Sequence, residues 1–319
     1  MSANTNAQIR WKFLSQSLRA RKRCSNPADA TACQISARNF CGFDLLRKTK
    51  ETINGDEWMK IAVPHRGSVQ SRPNSLALPE VNGHSGCQTD DSPPEKQLYL
   101  KCSPAMTTSD IFGFDNTGNI CIWPAEEILA FYCLLHWEEF SGARICELGG
   151  GMTCLAANMV AATSETSHVI LTDGNAKCVQ NCEEIVKRNK SLGLYSAENI
   201  CVRCLRWDAL EDYQDLMHSV DLVIAADCIF VEKFHQALVR CIYDLLNDKG
   251  YALLFSPRRG TALQSFIQAA SSEFIVQVME KYDDMVSDRH RLYCNTNNTY
   301  IPDLHYPLLI KLHKTTASP

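Results

Sequence analysis

Apolar and polar positions change their rhythm near residue 97. Beyond that point, short apolar runs alternate with stretches of helical period. Residues 124–137, PAEEILAFYCLLHW, read as a helix with Pro124 in its first turn and Glu126 and Glu127 behind it. The strand-like run 143–149 (ARICELG) is followed by a helical stretch, 152–163. A strand over 168–174 (HVILTDG) leads to a charged helix from Asn175 to about Lys190. Strand 199–207 (NICVRCLRW), a weak acidic connector, strand 220–230 (VDLVIAADCIF) and helix 232–246 come next. Gly250 opens strand 251–257, a helix follows over 261–272, and 274–282 and 306–314 are the last two strands.

Fully apolar strands alternating with helices argue for an α/β fold, a parallel sheet covered on both faces. No helical pattern separates the last two of the seven strands, which predicts an antiparallel addition at one edge. The long polar stretch between them is open.

The first hundred residues differ. Ile9, Trp11, Phe13, Leu14 and Leu18 interleave with Arg and Lys, so 1–23 suits a basic helix. Only β-like fragments follow, NFCGFDLL (39–46) and EWMKIAV (57–63), and residues 64–96 are rich in Pro, Gly, Ser and Asp. The expected division is a basic accessory region over 1–63, a flexible loop or linker over 64–96, and the main domain over 97–319.

Composition adds two points to this picture. The formal net charge of −4 conceals an asymmetry, because residues 1–50 carry ten Lys/Arg against two acids. A basic arm on an acidic body suggests an acidic partner, and a solvated terminus is the plainer alternative. The sixteen cysteines are scattered, and many lie in apolar runs where they act as small hydrophobes. Cys201 and Cys204 have C-x-x-C spacing without a second pair to complete a zinc site, so no metal is expected. The amino terminus lacks an apolar signal core, and no run approaches the ~18 residues of a membrane span. A cytoplasmic or nuclear chain with free thiols and no membrane partner is expected. With no repeat or heptad pattern, the default assembly state is a monomer.

The chemistry concentrates after the first strand of the domain, at Glu147-Leu148-Gly149-Gly150-Gly151-Met152. In open α/β sheets ligands bind beyond the carboxyl ends of strands, where glycines let the backbone approach closely. Asp173 ends the next strand, where a carboxylate can accept both ribose hydroxyls. A dinucleotide fingerprint would need a third glycine at 154, which is Cys154. The competing pattern, E-x-G-x-G, places the acid Glu147 at the strand end, where it suits the ammonium of S-adenosylmethionine.

Residues 112–157 resemble the seven-β-strand, class I (Rossmann-like) protein-lysine methyltransferases, and most of all the calmodulin-directed members. The likeness continues through LTDGN (171–175), CLRWD (204–208), AADCIF (225–230), SPRRG (256–260) and LHYPLL (304–309). It implies S-adenosylmethionine as cofactor, with Gly149, Gly150 and Gly151 beneath its methionine and ribose and Asp173 on the ribose. It further implies Trp207 against the adenine, Trp123 as a cover, and the small Ala225 and Ala226 allowing close approach; core packing would call for the same residues. Asp227 and Phe230 stand where relatives carry Asp-x-x-Tyr, and they would orient the incoming lysine. The absence of N-P-P-Y and D-P-P-Y argues against nucleic acid as a target. Calmodulin, an acidic protein, is the implied substrate, and Arg258 and Arg259 join the basic arm as its plausible complement. Another lysine-bearing protein (a chaperone or translation factor) and a cofactor-binding module of little turnover are the alternatives.

Overall fold

The computed structural model describes residues 40, 42–63, 96–101 and 122–315. The basic arm 1–23, all of the 64–96 linker except Lys96, and residues 102–121 lie outside the described residues. Three strands, β1 (Lys48–Ile53), β2 (Asp56–Val63) and β3 (Lys96–Lys101), form a small antiparallel sheet. Its hairpin turns at Asn54 and Gly55, with φ of 53° and 88°. That Asn-Gly pair is a hairpin signal the apolar pattern alone does not show. Lys96–Lys101, adjoining the main domain in sequence, belongs to this small sheet.

Next come α1 (Pro124–Leu135), β4 (Arg144–Leu148), α2 (Leu155–Thr163), β5 (His168–Asp173), α3 (Ala176–Ser191), β6 (Asn199–Cys204) and β7 (Val220–Ala226). The chain ends with α4 (His235–Leu245), β8 (Leu246–Ser256), α5 (Ala262–Ala270), β9 (Phe274–Met279), α6 (Asp284–Thr296), α7 (Pro302–His305) and β10 (Leu308–Lys314). Strands β4 to β10 make one seven-stranded sheet in the order β6-β5-β4-β7-β8-β10-β9. The expected antiparallel strand is β10, which pairs antiparallel with β8 on one side and with the outermost strand β9 on the other. Alternation along the strands fills both faces. Ile145, Leu222 and Ile224 join the core under α1 and α2, while Cys146, Val223 and Ala225 join that under α4 and α5.

The polar stretch before β10, open in the sequence, contains a helix, α6, which Asp283 caps by accepting the Val286 N–H at 2.8 Å. Only Val286 of that helix is buried, so it shows little apolar period. Gly250 lies inside β8 rather than opening it, at a register shift between Val220 and Leu222. A Cβ there would lie 3.0 Å from the carbonyl oxygens of Val220 and Asp221, so glycine lets the strands pass. Strands β6 and β7 also end earlier than their apolar runs, leaving Trp207 and the segment from Asp227 in loops.

The small sheet is docked on the large one through α3. Asn189 donates to the Tyr99 carbonyl at 2.7 Å and accepts the Tyr99 N–H at 2.9 Å, while Arg188 lies over the Trp58 and Tyr99 rings. Phe40, Phe43, Trp58, Ile61 and Leu98 share one core cluster with α1 and α2. Of the described cysteines, Cys133, Cys146, Cys154, Cys178, Cys182, Cys228 and Cys241 are buried and Cys201, Cys204 and Cys294 are exposed. No helix among the described residues is long and apolar enough to cross a membrane.

Candidate active site

The order of strands changes direction between β4 and β7, and a cavity of about 360 Å³ opens beyond their carboxyl ends. Trp123, Glu147, Gly149, Gly150, Gly151, Asp173, Trp207, Ala226, Asp227 and Phe230 all line it. Ala225 is fully buried behind them.

The glycine turn is built by contact. Gly149 and Gly151 have φ of 62° and 63°, a region that L side chains resist. A Cβ on Gly149 would lie 2.9 Å from Cys228 Sγ and 3.0 Å from the Trp207 ring. One on Gly150 would meet Cys154 Sγ at 2.5 Å. Asp173 holds the turn in place, accepting the Gly151 N–H at 2.9 Å through Oδ2 and the Asn175 N–H at 2.8 Å through Oδ1. Its carboxyl is pushed above the ordinary range by burial. Each oxygen still has a lone pair for a ribose hydroxyl.

Two buried glutamates also line the cavity. Glu147 Oε2 accepts the Ala157 N–H at 2.9 Å, and Oε1 is buried with no hydrogen-bond partner. Burial raises this carboxyl to about 8. Glu126 accepts from the Thr153 hydroxyl at 2.5 Å, the Trp123 N–H at 3.3 Å and the Leu155 N–H at 3.4 Å, and burial raises it to about 7. Read from sequence, Glu126 is only a first-turn acid. Its part in the cavity depends on α1 lying against the start of α2, which no local pattern reveals.

The remaining wall is aromatic. Trp207 meets Phe234 edge to face at 6.4 Å, and Phe230 lies close by on the same loop. Asp227 is not open to solvent: Arg259 donates to its Oδ1 at 3.0 Å and its Oδ2 at 2.6 Å. Arg259 is therefore an internal partner, not the exposed complement to an acidic protein that its sequence position suggests. Arg258 is exposed and pairs with Glu280.

The cavity suits S-adenosylmethionine on structural grounds. Five acidic side chains line it, Glu126, Glu147, Asp173, Asp208 and Asp227, and the Arg259 guanidinium offsets Asp227. A cationic ligand would draw the protons off Glu126 and Glu147 and pair with them, and the buried Glu147 Oε1 is open to an ammonium donor. The glycine cradle and the Trp207 face complete the fit for a ribose and a flat base.

Residues 114–274 match the model of a family described as lysine methyltransferase. The chain belongs to this family, and its methyl donor is S-adenosylmethionine. Among characterised relatives, it is 30% identical to the calmodulin-lysine N-methyltransferase of Arabidopsis thaliana, over 98% of both chains. Solved structures similar to it include fibrillarin of Aeropyrum pernix with natively bound S-adenosyl-L-methionine (17% identity, 54% of this chain and 66% of that one, TM-score 0.36). A protein of Pyrococcus horikoshii is another (12% identity, 59% and 90%, TM-score 0.42).

Proposed function

We propose that this lysine methyltransferase acts on calmodulin. The observation that carries the proposal is the extent of the likeness to the Arabidopsis enzyme. It runs over 98% of both chains, whereas the shared catalytic family accounts for residues 114–274 alone. The likeness therefore also takes in most of the chain before residue 114, a part outside the seven-stranded sheet and free to recognise a particular protein. The ten Lys/Arg of residues 1–50 are of the sign an acidic EF-hand protein would meet.

When bound, S-adenosylmethionine supplies a methyl group on a sulfonium, already electrophilic enough to need no covalent enzyme intermediate. The chain must hold that donor, and the glycine turn, Asp173 and Trp207 are the groups for this. It must also present a neutral amine in line with the methyl–sulfur bond. A lysine ammonium has no lone pair and titrates near ~10.4 in water. Desolvation against the Phe230 and Phe234 rings, beside a fixed positive charge, favours loss of its proton to water. The part left to the chain is to keep that neutral nitrogen in the channel beside Phe230 and Phe234, where it would meet the methyl group in line. Positioning supplies most of the rest.

Incubation with labelled S-adenosylmethionine and unmethylated calmodulin, followed by mass mapping, tests the proposal. Label on a calmodulin lysine is expected, and Asp173→Ala should lower the rate at subsaturating cofactor at least ~10-fold through lost charge-assisted hydrogen bonds. Label confined to other lysate proteins would reject calmodulin as the substrate. Deleting residues 1–23 should slow turnover more at low salt than at high salt if the basic arm steers association.

A further inference from the structure

The Asp227–Arg259 pair is not explained by cofactor binding. Asp227 is buried and Arg259 largely so, with side chains 6% and 13% exposed. Both residues also hold left-handed backbone, with φ of 55° and 47°, without being glycine. Such conformations persist where surrounding contacts enforce them. Three contacts do so here. The Asp227 N–H donates to the Phe255 carbonyl in β8 at 2.8 Å, the Arg259 N–H donates to the Asp303 carbonyl in α7 at 2.9 Å, and the bidentate ion pair joins the two loops. Arg259 thus ties the loop after β7, the loop after β8 and the segment before β10 into one unit at the cavity wall.

We propose that Arg259 is a positioning residue for methyl transfer: it clamps Asp227, fixes the 227–230 turn that carries Phe230, and makes Asp227 an internal counter-ion instead of an anchor for the incoming ammonium. The chemistry favours this division of labour. A carboxylate whose two oxygens already face a guanidinium exerts a weakened field on a second cation. An uncompensated carboxylate beside the lysine would stabilise its ammonium form, which cannot attack. Pairing Asp227 with Arg259 removes that obstacle while keeping the turn rigid. A lysine at 259 would keep the charge but not the planar two-point contact. The inference rests on lysine methyl transfer and holds whichever protein carries the lysine.

A double-mutant cycle on the full chain tests it, with D227N, R259Q and D227N/R259Q. The readouts are kcat and KM for calmodulin, affinity for S-adenosylhomocysteine, and amide hydrogen exchange across residues 226–234. R259Q is expected to lower kcat at least ~10-fold with KM and cofactor affinity within about threefold, and to speed exchange at the turn by a similar factor. The double variant should be no slower than R259Q, because the pair acts as a unit. R259K should recover less than half of the lost kcat. If R259Q does not fold, the double variant, which leaves no unpaired buried charge, carries the test: slowed turnover with fast exchange supports the clamp. Multiplied losses in the double variant, or wild-type kcat and exchange in R259Q, would overturn it. Should the wild type leave calmodulin unlabelled, the substrate assignment fails instead. The exchange data then still decide the clamp: unchanged exchange at the turn in R259Q rejects it and accelerated exchange supports it.

Discussion

Two turns at the ends of neighbouring central strands, β4 and β7, solve the same backbone problem by opposite means. Each must leave its strand sharply, through residues of positive φ, to face the cavity. After β4 the chain uses glycines, and the site is made of backbone: a Cβ at Gly149 would meet Cys228 and Trp207. After β7 it uses Asp227, a residue with a side chain, and pins it with Arg259. The glycine turn has to let a ligand come close to bare backbone. The aspartate turn presents side chains instead, so it tolerates a Cβ provided the rest of the fold holds it. One wall is therefore specified locally in sequence, and the other by contacts between residues 32 positions apart.

Gly149→Ala should break the glycine turn, and it is the largest effect expected. The added methyl would stand 2.9 Å from Cys228 Sγ and 3.0 Å from Trp207, in backbone that L residues enter at a cost of about 1–2 kcal/mol. Titration calorimetry with S-adenosylhomocysteine should show affinity falling ~100-fold or more, about 2.7 kcal/mol. Gly193→Ala makes the matched control. Its φ of 65° carries the same strain, but nothing lies within 4 Å of the new methyl. If the two variants lose cofactor affinity equally, crowding at the cradle is not what makes Gly149 necessary.

The same contrast explains what could be read from sequence. The β–α alternation fixed the seven strands of the large sheet, because each element buries an apolar face with its own period. The glycine turn was equally legible, since Glu147, Gly149, Gly151 and Asp173 carry their chemistry in residue type and spacing. Helix α6 was not, because it is held by the Asp283 cap and buries only Val286. Nor was the buried place of Glu126, which depends on α1 meeting α2, or the capture of Asp227 by Arg259 across the sheet. Arg259 read alone in SPRRG looks like a solvated turn. Only the three-dimensional register turns it inward.

Glu147→Gln sharpens the comparison on the glycine side. A carboxyl held at about 8 when folded, against an ordinary 4.5, keeps its proton in the native state after the unfolded chain has lost its own. Its stabilising contribution is complete below about pH 4.5 and is lost as pH rises towards about 8. Glu126, raised to about 7, acts in the same direction over a narrower range. Ligand-free protein should therefore weaken across this window in urea unfolding. Glutamine, which never ionises, should flatten the slope and stabilise the apo chain at about pH 8 by on the order of 1–3 kcal/mol. Cofactor affinity should meanwhile fall ~10-fold as the ammonium loses its charged partner. A variant that binds as tightly as wild type would remove Glu147 from the cofactor site.

Phe230→Tyr tests the aspartate side with the smallest perturbation. The substitution adds one hydroxyl to a ring already lining the cavity, on a turn whose backbone is fixed through Asp227. Cofactor affinity should stay within about twofold. The hydroxyl takes room that a second or third methyl would use, and it can hold a partly methylated amine away from the in-line direction. A net hydrogen bond of about 0.5–1.5 kcal/mol corresponds to a two- to tenfold change in rate. Intact mass measurement at equal turnover should then show the most highly methylated product falling by that factor, with the first transfer slowed less than threefold. An unchanged product distribution would mean that Phe230 does not face the lysine, and would move the methyl-counting wall to Phe234 or Trp207.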